Sequence, residues 1–468
     1  MKVKNIILLP TLIIALAGCS TNATSFTSVD SNHPINSEAE KSSELPVSYF
    51  QFSVEGIHEL RRPSEMQNGI SHEIYKSESF TNFRNKMRAF SNKLSDIFVK
   101  REFMDGKNFA ISPLSIELCI GLAIRSASGE TRNELLATLD MDYETFNANY
   151  KSYYKFLYHS NKNNMDYITS QLLLTNSIWI DNDIKLKDSG LDSLRDDYYC
   201  YSYDVDFNGN NENANQAIKE FINYNTKGLI NPELSLSPDT LFVLMNTLYI
   251  KDIWNEVGRD LEYAPNSYKF TNSDGSKSDK QLLQGYYLEG KAITADDYSC
   301  FYTRTLGGYY IYFIKPNEGK NLKNVFLKDT MDYVLDRNNY IHRDETKMEE
   351  YETRVYFPEY TVSGDYELSE IFKQDLNVKT LFGSSCDMSS LTDDRVFCDE
   401  IRHITKLEVS KGGIEGAAVT YMVYPGATAP DERYTFVQDT FVVDKEFGFI
   451  LTYNDSVIFS GVVNNIDK

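Results

Sequence analysis

Six histidines and six cysteines are the first places to look for chemistry, and their spacing offers none. No two cysteines form a CxxC pair, and no HExxH, GxSxG, phosphate-binding or dinucleotide glycine loop occurs. The pattern of zinc ligands is therefore missing. A cysteine nucleophile would need an exposed thiol beside a histidine, whereas Cys119 lies in a small apolar run and reads as a buried thiol. Beyond Cys19 there remain Cys119, Cys200, Cys300, Cys386 and Cys398, an odd number that leaves at least one unpaired within an exported monomer. Cys386 and Cys398 are near enough in sequence to close a short loop. His33, His58, His72, His159 and His342 read as surface or tether groups; His403 stands apart because it opens an extended run. Carboxylates abound, but nothing singles out a glycosidase pair. Neither an enzyme, a cofactor nor a metal is expected.

The chain's most informative segment is instead one on which chemistry could be done. Gly412 to Thr428 reads GGIEGAAVTYMVYPGAT. Two glycines give backbone freedom at its start. Val419, Thr420, Tyr421, Val423 and Tyr424 favour an extended strand, and Pro425 and Gly426 break it. Such a segment can live exposed as a loop and still be accepted as a strand within a sheet. Composition alone equally fits an edge strand with a long turn.

The N-terminus carries Lys2 and Lys4 and then an apolar run of 11 residues, Ile6 to Leu16. That is a secretory signal, too short to span a bilayer. It ends Leu16-Ala17-Gly18-Cys19, which resembles the bacterial lipoprotein box, so 1–18 is expected to be removed and Cys19 to carry lipid. Residues 19–46 are rich in Ser, Asn, Thr and Glu and read as a flexible tether. An extension over 47–79 precedes a single domain at 80–468. The folded part would stand outside the cell, at the cell surface or on the outer face of a membrane. Net charge is −21, with no basic stripe to neutralise phosphates, so nucleic acid is excluded as a partner.

The elements that must position the segment can be read along the chain. Phe83, Met87, Phe90, Leu94, Ile97 and Phe98 are spaced for a helix over 80–103. Ser112 and Pro113 form a helix start, the serine as cap and the proline in the first turn, for a helix running to Ala127. Residues 128–131 read as a turn, 133–139 and 211–225 as helices, 167–180 as extended, and 229–237 as loop. Leu241 to Tyr249 is a buried strand interrupted by Asn246, which must find hydrogen-bond partners there; Trp254 follows where the strand leaves the core. Strands are also expected at 309–314, 353–357, 401–409, 437–443, 447–453 and 456–463, the last two a hairpin around Asn454-Asp455. Short helices are expected at 329–335 and 368–372.

Taken together, these segments resemble the serpin family from about residue 80 to 466. The residues that carry the resemblance are Asn108 to Ser115 (NFAISPLS), Ala127 to Thr131 (ASGET), Asn176 to Trp179 (NSIW), Leu244 to Trp254 (LMNTLYIKDIW), Phe357-Pro358, Glu415 to Thr420 (EGAAVT), and Phe447, Phe449, Phe459 and Gly461-Val462-Val463. The resemblance implies an α+β serpin fold with three β-sheets, about eight or nine helices and an exposed reactive centre loop. It places Ser112, Ser115, Asn246 and His403 in the shutter beneath the central sheet and Trp254 near the breach, where the loop first inserts. Gly413, Ile414, Glu415, Gly416, Ala417, Ala418, Val419 and Thr420 would be the hinge.

The family mechanism implies a suicide-substrate inhibitor of serine endopeptidases. A protease cuts the loop, and the freed segment slides into the central sheet while the enzyme is still acyl-linked. Counting from the hinge places the reactive bond at Ala427-Thr428, with Val423, Tyr424, Pro425 and Gly426 filling neighbouring subsites. Ala427 suits elastase-like or subtilisin-like enzymes, with papain-like cysteine proteases as a further class. Alternating faces put Ile414, Gly416, Ala418, Thr420, Met422 and Tyr424 toward the core and leave Glu415 in water. The sequence departs from the family pattern at Ile414, where Thr or Ser is usual, at Gly412, and in the length of the stretch between Ala427 and Phe447. A monomer forming a covalent complex with its target protease is expected; a non-inhibitory surface binding protein of the same fold is the alternative.

Overall fold

The computed structural model describes residues 50–64, 69–101, 106–162, 168–254, 261–398, 401–415 and 433–467, and a strand at 11–15. The described residues form four sheets rather than three: a nine-stranded central sheet, sheets of six and five strands, and a two-stranded hairpin. Nine α-helices accompany them.

In the central sheet we label β1 (Thr11–Ala15), β2 (His58–Arg61), β3 (His159–Lys162), β4 (Ile168–Asp181), β5 (Cys200–Val205), β6 (Phe242–Asp252), β7 (Tyr360–Glu367), β8 (Arg402–Ser410) and β9 (Gly413–Ile414). From one edge the order is β7, β8, then a gap, then β6, β4, β5 and β2, with β3 also paired to β4. β6 is buried on both faces, which is why its sequence reads as a nearly continuous apolar run. On one face, helix α4 (Asn211–Asn225) covers Trp179, Tyr203, Val243 and Met245 with Phe221 and Ile222. The opposite face packs on helix α2 (Pro113–Ser126), on helix α1 (Glu78–Lys100) and on the six-stranded sheet that contains the hairpin Phe447–Tyr453 and Ser456–Val463.

The local signals act as their chemistry dictates. Ser112 accepts from the amide of Ser115 at 3.3 Å and Pro113 occupies the first turn of α2. Asn454 and Asp455 both take positive φ, the conformation a two-residue hairpin turn requires. Residues 50–61 of the N-terminal extension lie on the body. Phe52 packs edge-on against Trp179 and Tyr203 at 5.7 and 5.4 Å, and the Arg61 guanidinium bonds Asp192 at 2.8 Å on helix α3 (Asp188–Tyr198).

Several expectations need correction. Ser128 to Thr131 is no free turn: the helix Gly129–Thr138 starts there, with Thr131 buried. The expected helix at 368–372 is a π-helical turn over Ile371–Asp375. His159 is buried, between the carbonyl of Leu157 and the hydroxyl of Ser170. Trp254 has not left the core; it is fully buried. The five described cysteines are free thiols, so Cys386 and Cys398 do not close a loop. No helix among the described residues is long and apolar enough to cross a membrane.

Candidate functional site: the gap in the central sheet

The gap between β8 and β6 is where the site is built. β8 runs through the turn Lys411-Gly412 into β9, which folds back antiparallel between the two strands. Ile414 pairs with Val409 on one side and with Asp252 on the other, and it is fully buried. Gly413 has φ +139°, and a Cβ there would stand 2.1 Å from the Asp252 carbonyl oxygen, so only glycine lets the chain turn in so tightly. The residues expected to follow as hinge and reactive loop, Gly416, Ala417, Ala418, Val419 and Thr420, Val423 to Gly426, and the expected reactive bond Ala427-Thr428, lie outside the described residues.

Lower in the gap a second segment occupies the space. The run assigned to the export signal contributes β1, parallel to both neighbours: Ile13 pairs with Ile404 of β8 and with Thr247 of β6. Cys19 and the tether lie outside the described residues.

Beneath the gap the structure brings Ser112, Ser115, Asn246 and His403 together, all fully buried. The Ser112 amide donates to His403 Nε2 at 3.1 Å. Ser115 Oγ donates to Asn246 Oδ1, and Asn246 Nδ2 donates to Asn176 Oδ1 at 2.9 Å. Asn176 Nδ2 in turn donates to the Tyr198 carbonyl at 2.7 Å. One polar chain thus runs from β8 through α2 to β6, β4 and α3. Asn176 belongs to it, though sequence reasoning had placed that residue only on a strand. The signal was available: a second Asn in an apolar run has the same need for partners as Asn246.

At the upper end Trp254 Nε1 donates to the Ser410 carbonyl at 2.9 Å, and its ring meets Phe357 edge-on at 5.4 Å. Trp254 therefore ties the end of β6's chain to the last residue of β8. Next to it Asp252 accepts from Thr305 Oγ1 at 2.6 Å and from the Gly307 amide at 3.0 Å, with no ion-pair partner among the described residues. Burial pushes its carboxyl up to about 7. Sequence reading missed Asp252, which follows Lys251 and looks like half of a surface pair.

Glu415 is the clearest correction. Expected in water, it is 8 % exposed. Alternation does send it to the face opposite Ile414, but that face is covered there, and Tyr249 Oη donates to Glu415 Oε2 at 2.6 Å. Burial pushes this carboxyl up to about 7.

The comparisons agree with this architecture. The family model described as Serpin (serine protease inhibitor) matches residues 85–466. Mouse alpha-1-antitrypsin 1-1 is 23 % identical over 428 residues, 88 % of this chain and 94 % of the relative. Sheep corticosteroid-binding globulin is 24 % identical over 331 residues, 69 % and 73 % of the two chains. Among solved structures, the native state of the thermophilic serpin tengpin superposes with a TM-score of 0.66 at 19 % identity, over 88 % of this chain and 100 % of that one. Proteins of this fold act as inhibitors or binders, not as catalysts. With β9 seated between β8 and β6, a buried polar cluster below it and a family match over most of its length, this chain belongs to the serpin family.

Proposed function

We propose that the chain is a suicide-substrate inhibitor of elastase-like or subtilisin-like serine endopeptidases. The observation that carries this reading is the double pairing of Ile414, which already forms the first row of a new strand between β8 and β6. Continuing that antiparallel register sets Ala418 beside Leu248 and Thr405, and Thr420 beside Asn246 and His403. The loop would thus reach the buried polar cluster with a residue able to hydrogen-bond, and the shutter role of Ser112, Ser115, Asn246 and His403 follows from that. Trp254 marks the breach at the upper end.

Insertion through Tyr424 would add backbone hydrogen bonds worth roughly 0.5–1.5 kcal/mol each and bury apolar surface at about 25 cal/mol per Å². The uncut protein is then held by a kinetic barrier, and cleavage at Ala427-Thr428 releases it. The acyl-linked protease travels with the inserting strand and is deformed. Lipid on Cys19 would hold the inhibitor at an outward-facing membrane surface, with its body reaching proteases in the medium.

The likeness to corticosteroid-binding globulin favours one second reading, a binding protein whose loop is cut without consequence. A gel assay across a small protease panel separates the two. An inhibitor gives an SDS-stable complex with an elastase-like enzyme and a released C-terminal peptide whose mass locates the cut bond. Ala418→Glu, which puts a charge on the core-facing row, should convert the inhibitor into a substrate. Cleavage without complex by the unaltered chain would sink the inhibitory reading.

A further inference from the structure

Glu415 is a hinge carboxylate seated in the sheet before any cleavage. It lies one residue past Ile414 at φ +61°, its amide donating to the Glu408 carbonyl at 3.2 Å. Charged and titratable groups reach it from each element packed around it. Tyr249 and Lys251 come from β6, Glu408 from β8, and Lys227 from the turn that follows α4. Tyr249 makes the only hydrogen bond recorded to its side chain among the described residues; the Lys251 ammonium is 4.0 Å away. A carboxylate held in this way is poorly compensated once ionised, because the two cations, Lys251 at 4.0 Å and Lys227, are outweighed by burial together with a like charge on β8.

We propose that Glu415 is a positioning residue for the reactive loop: its neutral carboxyl, gripped by Tyr249, seats the hinge in the first row of the gap, and ionisation unseats it. The proposal rests on the loop-insertion reading above. Burial raises the seated carboxyl to about 7, whereas a glutamate freed into water titrates near about 4.3. Seating therefore takes up a proton between those values. It is favoured below the window, and it weakens as pH rises toward 7. Unseating releases Gly413, Ile414 and Glu415 from the sheet, lengthening the segment offered to a protease. Acid would accordingly store the loop part-inserted, and neutral to alkaline medium would present it.

Hydrogen exchange at the Glu415 amide of the full chain, without protease, tests this from pH 5.5 to 8.5 after correction for intrinsic rates. The expected result is a loss of protection of about tenfold between pH 6 and pH 8. Glu415→Gln should keep the protection and flatten the profile, because the amide is neutral at every pH. Tyr249→Phe should lower protection throughout while amides around Ser112 stay protected. A flat wild-type profile overturns the proposal. So does a Gln variant that retains the midpoint, which would assign the titration to Asp252 on the opposite face. The readout involves no protease, so a failed complex-formation assay and a failed exchange profile are separate results.

Discussion

The amide of Ser112 and the imidazole of His403 meet at 3.1 Å across 291 positions of sequence. That bond fastens the start of helix α2 to β8, the strand that leads into β9. Together with Ser115, Asn246 and Asn176 it makes the underside of the gap a polar seam within an otherwise apolar core.

Breaking the seam should cost more than one hydrogen bond. Asn246→Ala leaves the Ser115 hydroxyl and the Asn176 amide oxygen buried without their partner, each at about 1–3 kcal/mol. The expected loss is about 2–4 kcal/mol in denaturant unfolding of the intact protein. A double-mutant cycle with Ser115→Ala should show strong coupling, because the second change removes a group already orphaned by the first. Strict additivity of the two losses would show that the seam is a set of independent contacts.

Glu117 supplies a pH dependence that belongs to the scaffold. It lies in α2, 1 % exposed, accepting from Ser91 Oγ and from Tyr153 Oη. No cation among the described residues pairs with it, and burial pushes its carboxyl up to about 8. The unfolded chain titrates this group near about 4.3. Because the folded value is the higher one, its contribution to stability is fully present below the unfolded value and is lost as pH rises through 8. Glu117→Gln should gain on the wild type by roughly 1.4 kcal/mol per pH unit at the steepest part of that window. Parallel stability curves for the two proteins between pH 5 and pH 9 would contradict this.

Much of this scaffold was legible because local rules and global packing agree. Ser112-Pro113 caps α2 as read, Asn246 finds the partners its burial demands, and Asn454-Asp455 turns the final hairpin. What escaped was the identity of the layer lying over each face. Alternation gave the side of the sheet on which Glu415 points but not what covers that side. His159 looked like a surface group because its neighbours in sequence are polar, while its partner Ser170 belongs to the adjacent strand. Phe50 and Phe52 stood in an extension whose local pattern set no element. Their burial depends on Tyr224, Trp179 and Tyr203, far along the chain. In each case the deciding contact is tertiary and leaves no trace in local pattern.

The rows held by β1 lead to the last prediction. Ile13 pairs with Ile404 and Thr247, and the register set by Ile414 would bring Val419 to that same pair of residues. β1 as a whole spans the rows that Ala417 to Tyr421 would need. One row of a sheet takes one strand, so the apolar N-terminal run and the cut loop exclude each other. A chain that keeps residues 1–18 should then behave as a substrate when its loop is nicked, and its melting temperature should rise little. A chain beginning at residue 19, with Cys19→Ser to prevent lipidation, should trap protease at lower stoichiometry and melt at a markedly higher temperature after nicking. Thermal melts of both chains before and after loop cleavage, beside titration against one elastase-like enzyme, check this directly. Equal gains in melting temperature for the two would mean that β1 yields its rows freely to the loop.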